Sequence, residues 1–479
     1  MLMNTSIIFN VLGSLLRFLG MVMVIPLLVA VYYNDPLLPF AVAVLITGVT
    51  GILLSRRYGA EGEWKIKEGF AIVAFGWLSV AIFGAIPYLL DGISPINAFF
   101  ESMSGFTTTG APILQDIESY SKSILFWRSM TQWLGGMGII MIFIAILPKL
   151  GVAGRQLFRA EAPGPTEDKI KPRIRGTARI LWAVYVVISV VQVILLKLAG
   201  MSLYDAVTHT FTTMSTGGFS PYGAGIAGFN SPLIEGIIVV FMFIAGANFA
   251  LHYRVLYVDH NSFMKDNEFK FYTGIILIAT VILTFSLWKD MGQSVGTAFR
   301  YAVFQVISIT TTTGYASADF DIWSDSARIV LLAVMFIGGC AGSTAGGIKV
   351  VRILLLLKYG KKVLFKSLHP KAIKPVTYNG KAVPEDIMHS IVSFVVLYMM
   401  IFAISTGILA LMGMDLISSI TASIATLGNI GPGFNAVGPM ANFDVVPDLG
   451  KLLLIANMWI GRLEVFTVIV MLTPEFWKD

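Results

Sequence analysis

The stretch that decides the fold is ISITTTTGYAS, residues 307–317, in which four consecutive threonines run into a glycine and a tyrosine. Threonine is a poor helix former, and glycine commonly ends a helix. The stretch follows a short amphipathic segment and interrupts a chain that is otherwise strongly apolar. We therefore interpret it as a break in a helix that lies in hydrophobic surroundings.

The composition predicts an all-α polytopic membrane protein. Hydrophobic residues make up 56% of the chain and charged residues only 13%, and the mean hydropathy is +0.78. A soluble chain is typically about 25% charged. Many segments reach the roughly 20 apolar residues that a membrane-spanning helix needs. The first of these, residues 7–33, is too long for the core of a signal peptide, so we expect it to be retained.

The distribution of charge predicts the orientation in the membrane. The net charge is +6, and Lys and Arg concentrate in residues 149–179 and 349–381. The positive-inside rule places both runs in the cytoplasm, and we expect both termini there too. These runs are either determinants of topology or a docking surface for a cytoplasmic partner or anionic lipid. The single cysteine, Cys340, excludes an internal disulfide framework.

The threonine–glycine break is one of four. Their first aligned glycines are spaced by roughly 100 residues or slightly more, and a doublet containing a small residue follows each break. The segment before each break is too short to span a membrane and suits a re-entrant half-helix. The breaks are FTTTGAP (106–112), MSTGGFS (214–220), TTTTGYA (310–316) and GNIGPGF (428–434), with aligned glycines Gly110, Gly217, Gly314 and Gly431. The doublets are Gly135-Gly136, Ala245-Gly246, Gly338-Gly339 and Ile460-Gly461.

This repetition predicts five segments along the chain. Each repeat contains a full span (M1), a pore half-helix, a break and a second full span (M2), and four such repeats surround one pseudo-fourfold pore. The predicted segments are an N-terminal pair of transmembrane helices in residues 1–60, then repeats in 61–160, 161–262, 263–368 (with an intramembrane loop) and 369–479.

Four matching breaks predict a selectivity filter for monovalent cations. Non-helical backbone at membrane depth is tolerated only inside protein or along a water-filled path. Carbonyl and threonine oxygens can replace the water shell of a monovalent ion, and the half-helices direct negative C-terminal dipoles to the same axis. Carboxylates are scarce there, Glu101 being the nearest, which disfavours divalent ions. The predicted filter residues are Thr107, Thr108, Thr109, Gly110, Ala111, Ser215, Thr216, Gly217, Gly218, Thr312, Thr313, Gly314, Tyr315, Asn429, Ile430, Gly431 and Pro432.

A flexible loop or a helix-packing glycine would explain a single break better than a filter does, but not four at matching positions. His209 and Gln305 lie in the half-helices, where packing or hydrogen bonding is a better interpretation than ligand duty. The sequence contains no metal-ligand spacing of His and Cys and no nucleophile–base arrangement, so we expect no enzyme activity.

The segment GGCAGSTAGGIK, residues 338–349, predicts a gate in the second span of the third repeat. Its five glycines cost a helix about 1 kcal/mol each relative to alanine, which favours a broken helix with a mobile loop. The segment lacks the residue order G-x-x-x-x-G-K-[ST] of a phosphate-binding loop. The alternative to a gate is that its small residues allow close packing of helices. The predicted gate residues are Gly338, Gly339, Gly342, Ser343, Thr344, Gly346, Gly347, Lys349 and Arg462.

Arg462 belongs to this set because it lies in the middle of the last apolar span. An arginine there costs a few kcal/mol unless it faces a cavity or a partner. Glu464 is two residues further on and so points elsewhere on a helix. We expect Arg462 to face a cavity or a partner inside the protein and to add an electrostatic barrier to cations.

The chain resembles the TrkH/TrkG/KtrB superfamily of bacterial potassium uptake proteins over nearly its whole length. The residues that carry the resemblance are Thr109-Gly110, Thr216-Gly217, Thr313-Gly314 and Ile430-Gly431, GGCAGSTAGGIKVVR (338–352) and WIGRLEVF (459–466). The extra N-terminal pair of spans makes it more similar to TrkH than to KtrB. The fourth break departs from the pattern, because GNIGPGF has Asn429 and Pro432 and no threonine. This departure predicts that rubidium passes and that sodium is rejected only moderately.

The resemblance implies a channel-like potassium uptake protein of the bacterial cytoplasmic (inner) membrane. It implies a homodimer with one pore per protomer and a cytoplasmic ring of TrkA-like subunits that controls opening. It also implies no covalent cofactor, potassium as the ion bound at the filter, and a nucleotide on the ring rather than on this chain. The loop would block the path, with Arg462 extending into the pore near it. We therefore expect Arg462 to contact carbonyl groups of the loop, and Lys349 to help hold the closed form. We expect no nucleic-acid partner.

A secondary transporter that couples potassium to sodium or protons is the alternative. Such transporters often have inverted repeats and ionisable residues near the midplane. Here the four repeats share one orientation and intramembrane carboxylates are scarce, which favours a pore.

Overall fold

The computed structural model describes residues 3–59, 66–136, 138 and 174–477. Within these ranges the extended elements are limited to a short hairpin of β1 (Thr377–Tyr378) and β2 (Lys381–Ala382), and helices form the rest of the regular structure. The predicted all-α membrane fold is therefore confirmed. Most of the basic segment 149–179, and the predicted segment boundaries near residues 60 and 160, lie outside the described residues.

The N-terminal pair of helices forms a closely packed hairpin. Helices α1 (Thr5–Val22) and α2 (Val24–Tyr33) make one span that is interrupted shortly before Pro26, and α3 (Leu38–Arg57) returns beside α1. Glycines allow the close approach, since a Cβ on Gly51 would lie 2.5 Å from the backbone nitrogen of Arg17. Small residues commonly serve helix packing in membranes in this way.

The first span of each repeat is a long apolar helix. Among the described residues, six segments are long and apolar enough to cross a membrane, and these four repeats supply four of them. The helices are α4 (Ile66–Gly84) continued by α5 (Ile86–Leu90), α8 (Ile174–Leu198), α13 (Asn267–Asp290) and α17 (Glu385–Leu411).

The predicted half-helices are all present, and one capping pattern begins each of them. The side chain of the N-cap residue accepts a hydrogen bond from the backbone N–H three residues later, which satisfies a donor that the helix itself leaves unpaired. The half-helices are α6 (Pro95–Phe106), α9 (Leu203–Met214), α14 (Val295–Thr310) and α18 (Leu416–Leu427), and their caps are Ser94, Ser202, Ser294 and Asp415.

The second spans are less regular than the sequence predicts. Residues 122–136 are helical and form α7. In the second repeat α10 (Pro232–Ala245) and α11 (Phe249–Tyr257) meet at 96°, and in the fourth α19 (Asp448–Arg462) and α20 (Phe466–Leu472) meet at 117°. The prediction of a continuous second span is therefore wrong for these two repeats.

Both bends depart locally from helical geometry. Asn248 caps α11, its side-chain oxygen accepting from the backbone nitrogen of Ala250 at 2.8 Å. Beyond α19, Glu464 and Val465 have positive φ, which a right-handed helix cannot contain. The third repeat is interrupted as predicted, with α15 (Asp325–Met335) and α16 (Val350–Leu368) flanking a loop. The described chain also contains two short α-helices, α12 (Ser262–Lys265) and α21 (Pro474–Trp477), and four 3-10 helices, Ile117–Ser119, Gly225–Phe229, Asn435–Val437 and Phe443–Val445.

Apolar packing encloses the half-helices. The largest buried cluster joins the second, third and fourth repeats through residues such as Ile238, Phe304 and Phe394. A second cluster joins the N-terminal pair to the first repeat and to Phe476 near the end of the chain. Association of helices in lipid depends on such van der Waals packing. It holds the four breaks together at the centre.

Candidate ion pathway

All four half-helices end in the same Schellman turn. One residue after the C-cap takes the left-handed conformation, with φ between 53° and 56°. The next N–H then reaches back to the carbonyl five residues earlier, as the Schellman motif requires. The left-handed residues are Thr108, Thr216, Thr312 and Asn429. The closing bonds, 2.8–2.9 Å long, are Thr109 N to Ser104 O, Gly217 N to Thr212 O, Thr313 N to Ser308 O and Ile430 N to Ala425 O.

This geometry corrects the alignment of the second break. The glycine with positive φ that follows each turn is Gly110, Gly218, Gly314 or Gly431. Gly218, not Gly217, is therefore the equivalent of Gly110, and the sequence alignment is wrong by one residue. The reason is that a left-handed threonine, rather than the first glycine, ends each of the first three helices. A β-branched residue in this conformation stores about 1–3 kcal/mol of strain, which the surrounding structure must offset.

The four breaks contact one another in a closed ring. The glycine of each break lies against the carbonyl oxygen that precedes the equivalent glycine in the next repeat. A Cβ on Gly110 would overlap the oxygen of Gly217, and a Cβ on Gly431 would lie 3.0 Å from the oxygen of Thr109, which closes the ring. The other two contacts join Gly218 to the oxygen of Thr313 and Gly314 to the oxygen of Ile430. Only a residue without a side chain fits these positions.

Threonine hydroxyls make the first and third breaks alike. The hydroxyls of Thr107 and Thr109 are 2.8 Å apart, as are those of Thr311 and Thr313. In the second break Ser215 bonds to its own helix and Gly217 has no hydroxyl; in the fourth, Ile430 has none. The side chains of the ring therefore have approximate twofold rather than fourfold symmetry.

The fourth break replaces the missing hydroxyl with an amide. Asn429 Nδ2 donates to Thr109 Oγ1 at 2.9 Å and to the carbonyl of Met458 at 3.1 Å. Its Oδ1 and the hydroxyl of Thr108 are buried with no hydrogen-bond partner among the described residues. Both oxygens lie at the left-handed positions of the ring.

The residues after the glycines fix the outer end of the breaks. Ser104 donates to the carbonyl of Ala111 at 2.9 Å, and Ser308 donates to that of Tyr315 at 2.7 Å. These carbonyls are thereby held by the half-helices. A cavity of about 220 Å³ opens beyond them; its lining includes Gly110, Gly218, Gly314, Tyr315, Pro432, Asp116 and Glu118.

Two predicted polar residues form hydrogen bonds, as expected. His209 Nδ1 is 2.8 Å from the carbonyl oxygen of Asp205, and its Nε2 is 3.2 Å from Ser220 Oγ. Gln305 donates to the carbonyl of Tyr315 at 3.2 Å. Both side chains therefore brace the half-helices and the segments that follow them.

Three further side chains, those of Gln132, Glu101 and Arg128, support the breaks in the structure. The sequence patterns did not predict this role for any of them. Gln132 donates to the carbonyl of Gly217 at 2.7 Å and accepts from Phe219 N at 3.1 Å. Glu101 forms a buried ion pair with Arg128 and accepts from Ile113 N at 2.9 Å. The available signal was the presence of polar residues inside apolar spans, which commonly marks a functional position.

The interrupted third repeat forms a loop, residues 336–349, with a closed neck. Gly338 N donates to Ile348 O at 2.9 Å, and Val350 N donates to Gly339 O at 3.1 Å. Left-handed glycines shape the loop at Gly342 and Gly347. Ser343 donates to the carbonyl of Cys340 at 2.6 Å, and Lys349 Nζ donates to that of Ala345. The loop is thus an ordered element.

The loop contacts the C-terminal ends of three half-helices. Gly346 N donates to Thr312 Oγ1 at 2.7 Å, and a Cβ on Gly346 would overlap the carbonyl of Gly428. Thr344 Oγ1 donates to the carbonyl of Met214 at 3.0 Å. The loop therefore lies directly beneath the ring.

The loop also completes the bend between α10 and α11. Cys340 N donates to Gly246 O at 2.9 Å, and Phe249 N donates to Gly342 O at 3.0 Å. Helix interruptions inside a membrane protein persist only where neighbouring protein satisfies the freed groups. The two interruptions satisfy each other in this way.

Arg462 is the last residue of α19 and lies at the bend between α19 and α20. Its buried side chain donates from Nη1 to the carbonyl of Thr344 at 2.8 Å, which confirms the expected contact with the loop. Its Nη2 also reaches the carbonyl of Gly135 at 3.3 Å. Glu464 forms an ion pair with Arg352 instead. A cavity of about 70 Å³ touches the loop, Lys349 and Arg462.

A closed ring of helix breaks inside a helical membrane scaffold is an arrangement suited to ion transport. A model of the TrkH family, described as a cation transport protein, matches residues 40–478. The chain therefore belongs to the TrkH family of cation transport proteins, and it is a transporter rather than an enzyme.

Full-length relatives agree with this assignment. The chain is 40% identical to the Trk system potassium uptake protein TrkH of Salmonella typhimurium over 487 residues, with 100% of each chain covered. It is 33% identical to the potassium uptake protein TrkG of Escherichia coli over 489 residues, again with 100% coverage. The crystal structure of the potassium transporter TrkH from Vibrio parahaemolyticus matches with a TM-score of 0.90 and 36% identity, covering 99% of this chain and 100% of that one. The predicted resemblance is confirmed.

Proposed function

We propose that the protein takes up potassium across the bacterial cytoplasmic membrane through a channel-like filter formed by the four breaks. The observation that carries this proposal is the closed ring in which each glycine lies against a carbonyl of the next repeat. Relatives that cover the whole chain are named potassium uptake proteins. The ring supplies uncharged oxygens, which suit a monovalent cation better than a divalent one.

The filter selects through residues 107–111, 215–218, 312–315 and 429–432. Carbonyl groups and threonine hydroxyls replace the hydration shell of potassium, and the transported ion is the only ligand of this site. The hydroxyl pairs in the first and third breaks supply more oxygens than the second and fourth breaks do. We therefore expect selection against sodium to be moderate and rubidium to be accepted.

The loop 336–349 closes the path below the filter. Gly346 and Thr344 contact the C-terminal ends of the half-helices, and Arg462 holds the carbonyl of Thr344. The positive charges of Arg462 and Lys349 beside this loop oppose a cation electrostatically. Opening requires the loop to leave these contacts.

The regulatory assembly extends beyond this chain. A cytoplasmic ring of TrkA-like subunits carries the nucleotide and shifts the loop, and two copies of the chain form a dimer with separate pores. Both termini and the basic run 349–381 face the cytoplasm, where the ring docks. The basic composition of that run supports this orientation.

Labelled-rubidium uptake into liposomes that contain the purified protein tests the function. We expect a potassium gradient alone to drive uptake, and external potassium to inhibit it more strongly than sodium does. Uptake that requires a sodium or proton gradient would contradict passive conduction and support coupled transport. Equal inhibition by sodium and potassium would contradict potassium selection.

A further inference from the structure

A buried carboxylate connects the two arms of the intramembrane loop. Glu268 is the second residue of α13, and 3% of it is exposed. Its Oε1 accepts hydrogen bonds from Ala341 N at 2.7 Å and from Val351 N at 3.1 Å. Ala341 lies in the arm that enters the loop, and Val351 lies just after the arm that leaves it. One oxygen atom therefore joins both arms.

The chemistry of this contact is favourable where a buried carboxyl group is otherwise costly. Its oxygen satisfies two buried backbone N–H donors and is itself satisfied by them. Val351 is in the first turn of α16, whose own N-cap residue, Lys349, provides no side-chain cap. The first turn of a helix contains N–H groups that the helix itself leaves unpaired. Glu268 thus caps α16 from a neighbouring helix.

A cytoplasmic hairpin holds the helix end that carries Glu268. Asn379, at the turn between β1 and β2, accepts from Asn267 N at 2.9 Å and donates to Asp266 Oδ2 at 2.9 Å. Asp266 is the N-cap of α13. The exposed turn is therefore bonded to the two residues that precede Glu268.

The same hairpin packs against the loop itself. Val376, Tyr378 and Val383 share one buried apolar cluster with Ala341 and Val351, the two residues that Glu268 binds. The hairpin consequently contacts the loop arms by packing and contacts the carboxylate helix by hydrogen bonds.

We propose that Glu268 is a positioning residue that holds the intramembrane loop beneath the filter. Its two hydrogen bonds, from Ala341 N and Val351 N, are called the clasp, and the hairpin of residues 376–383 connects the clasp to the cytoplasmic surface. The consequence for transport rests on the proposed gating function of the loop. A cytoplasmic event that shifts the hairpin releases Glu268 from the loop arms and frees the loop to move.

The single cysteine provides a direct measurement of loop position. Cys340 lies in the loop, is 1% exposed, and is the only cysteine of the chain. Its rate of modification by N-ethylmaleimide therefore reports how often the loop leaves its closed position, independently of ion flux. The Cys340→Ser variant, which has no cysteine, measures the background of the labelling reaction.

Glu268→Ala leaves the buried N–H groups of Ala341 and Val351 without this acceptor and should raise the modification rate about tenfold or more. Glu268→Gln keeps an acceptor oxygen and should stay near the wild-type rate. Glu68→Ala is the matched control, because Glu68 is a buried carboxylate in the first turn of α4 that accepts from Asn4 N and lies in another repeat. Asn379→Gly, on the exposed turn, removes the link to α13 while tolerating the positive φ and should raise the rate by a smaller factor.

The combined outcomes separate the clasp from the gate. A raised modification rate with raised rubidium flux in Glu268→Ala supports both. A raised rate with unchanged flux supports the clasp but contradicts gating by the loop. An unchanged rate in Glu268→Ala, or an equally raised rate in Glu268→Gln, overturns the clasp. If Glu268→Ala does not fold, an unchanged rate in Asn379→Gly overturns the hairpin connection.

Discussion

Alternating positions in each break carry the backbone strain. Thr312 and Gly314 both have positive φ, with Thr313 between them, and the other three breaks repeat this pattern. A left-handed threonine is costly, so its presence in three of the four breaks indicates a function that the hydroxyl or the turn serves. The threonine–glycine pattern predicted the position of the breaks. It did not predict which residue turns, because that depends on the Schellman bond that closes each helix.

Gly314→Ser should weaken potassium selection. A Cβ at this position would overlap the carbonyl oxygen of Ile430, so the ring must widen or distort. Strain of about 1–3 kcal/mol corresponds to a loss of discrimination between potassium and sodium of roughly 5- to 150-fold. The measurement is rubidium uptake with competing sodium or potassium.

Gly296→Ala is the control for this substitution, since a Cβ on Gly296 would meet no heavy atom within 4 Å. It should retain the wild-type ion preference. Unchanged selection in Gly314→Ser would show that Gly314 does not contribute to the filter.

Gln132→Leu should destabilise the second break. The amide of Gln132 satisfies the carbonyl of Gly217 and the N–H of Phe219, and leucine leaves both without that partner. The expected loss of stability is about 1–3 kcal/mol. Thermal unfolding in detergent measures it.

Gln192→Leu is a matched comparison, because the buried amide of Gln192 has no hydrogen-bond partner among the described residues. Removing an unsatisfied buried polar group should be neutral or stabilising. Equal losses in the two variants would show that the amide of Gln132 has no special role.

At the scale of elements, the four half-helices share both a start and an end. Serine or aspartate begins each helix, and a Schellman turn closes it. The serines and the aspartate were visible in the sequence as capping residues, whereas the turn was not. Ser294→Ala should cost about 1 kcal/mol, because Thr297 N loses its acceptor.

Ser294→Asp should keep the cap, since Asp415 serves the same position in the fourth repeat. Thermal unfolding of the two variants provides the comparison. A similar loss of stability in both would contradict the capping role.

The helical content, the half-helices and the interruption near Gly338 follow from sequence patterns that are local. The bends at residues 246–248 and 463–465 do not, because tertiary contacts stabilise them. Cys340 and Gly342 of the loop satisfy the backbone groups at the first bend. Arg462 illustrates the same limit: its apolar surroundings predicted a mid-span position, but the chain leaves the helix at the next residue. Local pattern predicts where an element lies, and long-range hydrogen bonds decide where it breaks.

At the scale of the molecule, the loop connects all the repeats. It bonds to Thr312 of its own repeat, to Gly246 of the second and, through Arg462 of the fourth, to Gly135 of the first. Because the loop contacts every repeat, its movement can change the conformation of all four breaks together. Arg462→Ala should therefore raise basal rubidium flux, since it removes both the bond to Thr344 and a positive charge.

Arg462→Lys keeps the charge but not the guanidinium fork, so it should raise the flux less than Arg462→Ala does. Flux into liposomes without any added partner is the measurement. Equal flux in wild type and both variants would exclude Arg462 from control of the path.

The most direct measurement combines the loop and the ring in one chain. Deletion of residues 342–347 should raise rubidium flux while inhibition by potassium remains stronger than inhibition by sodium. Addition of Gly314→Ser to the deletion should keep the flux high and weaken that difference. Flux that does not rise on deletion, or a preference for potassium that Gly314→Ser leaves unchanged, would contradict a path through the four breaks closed by the loop.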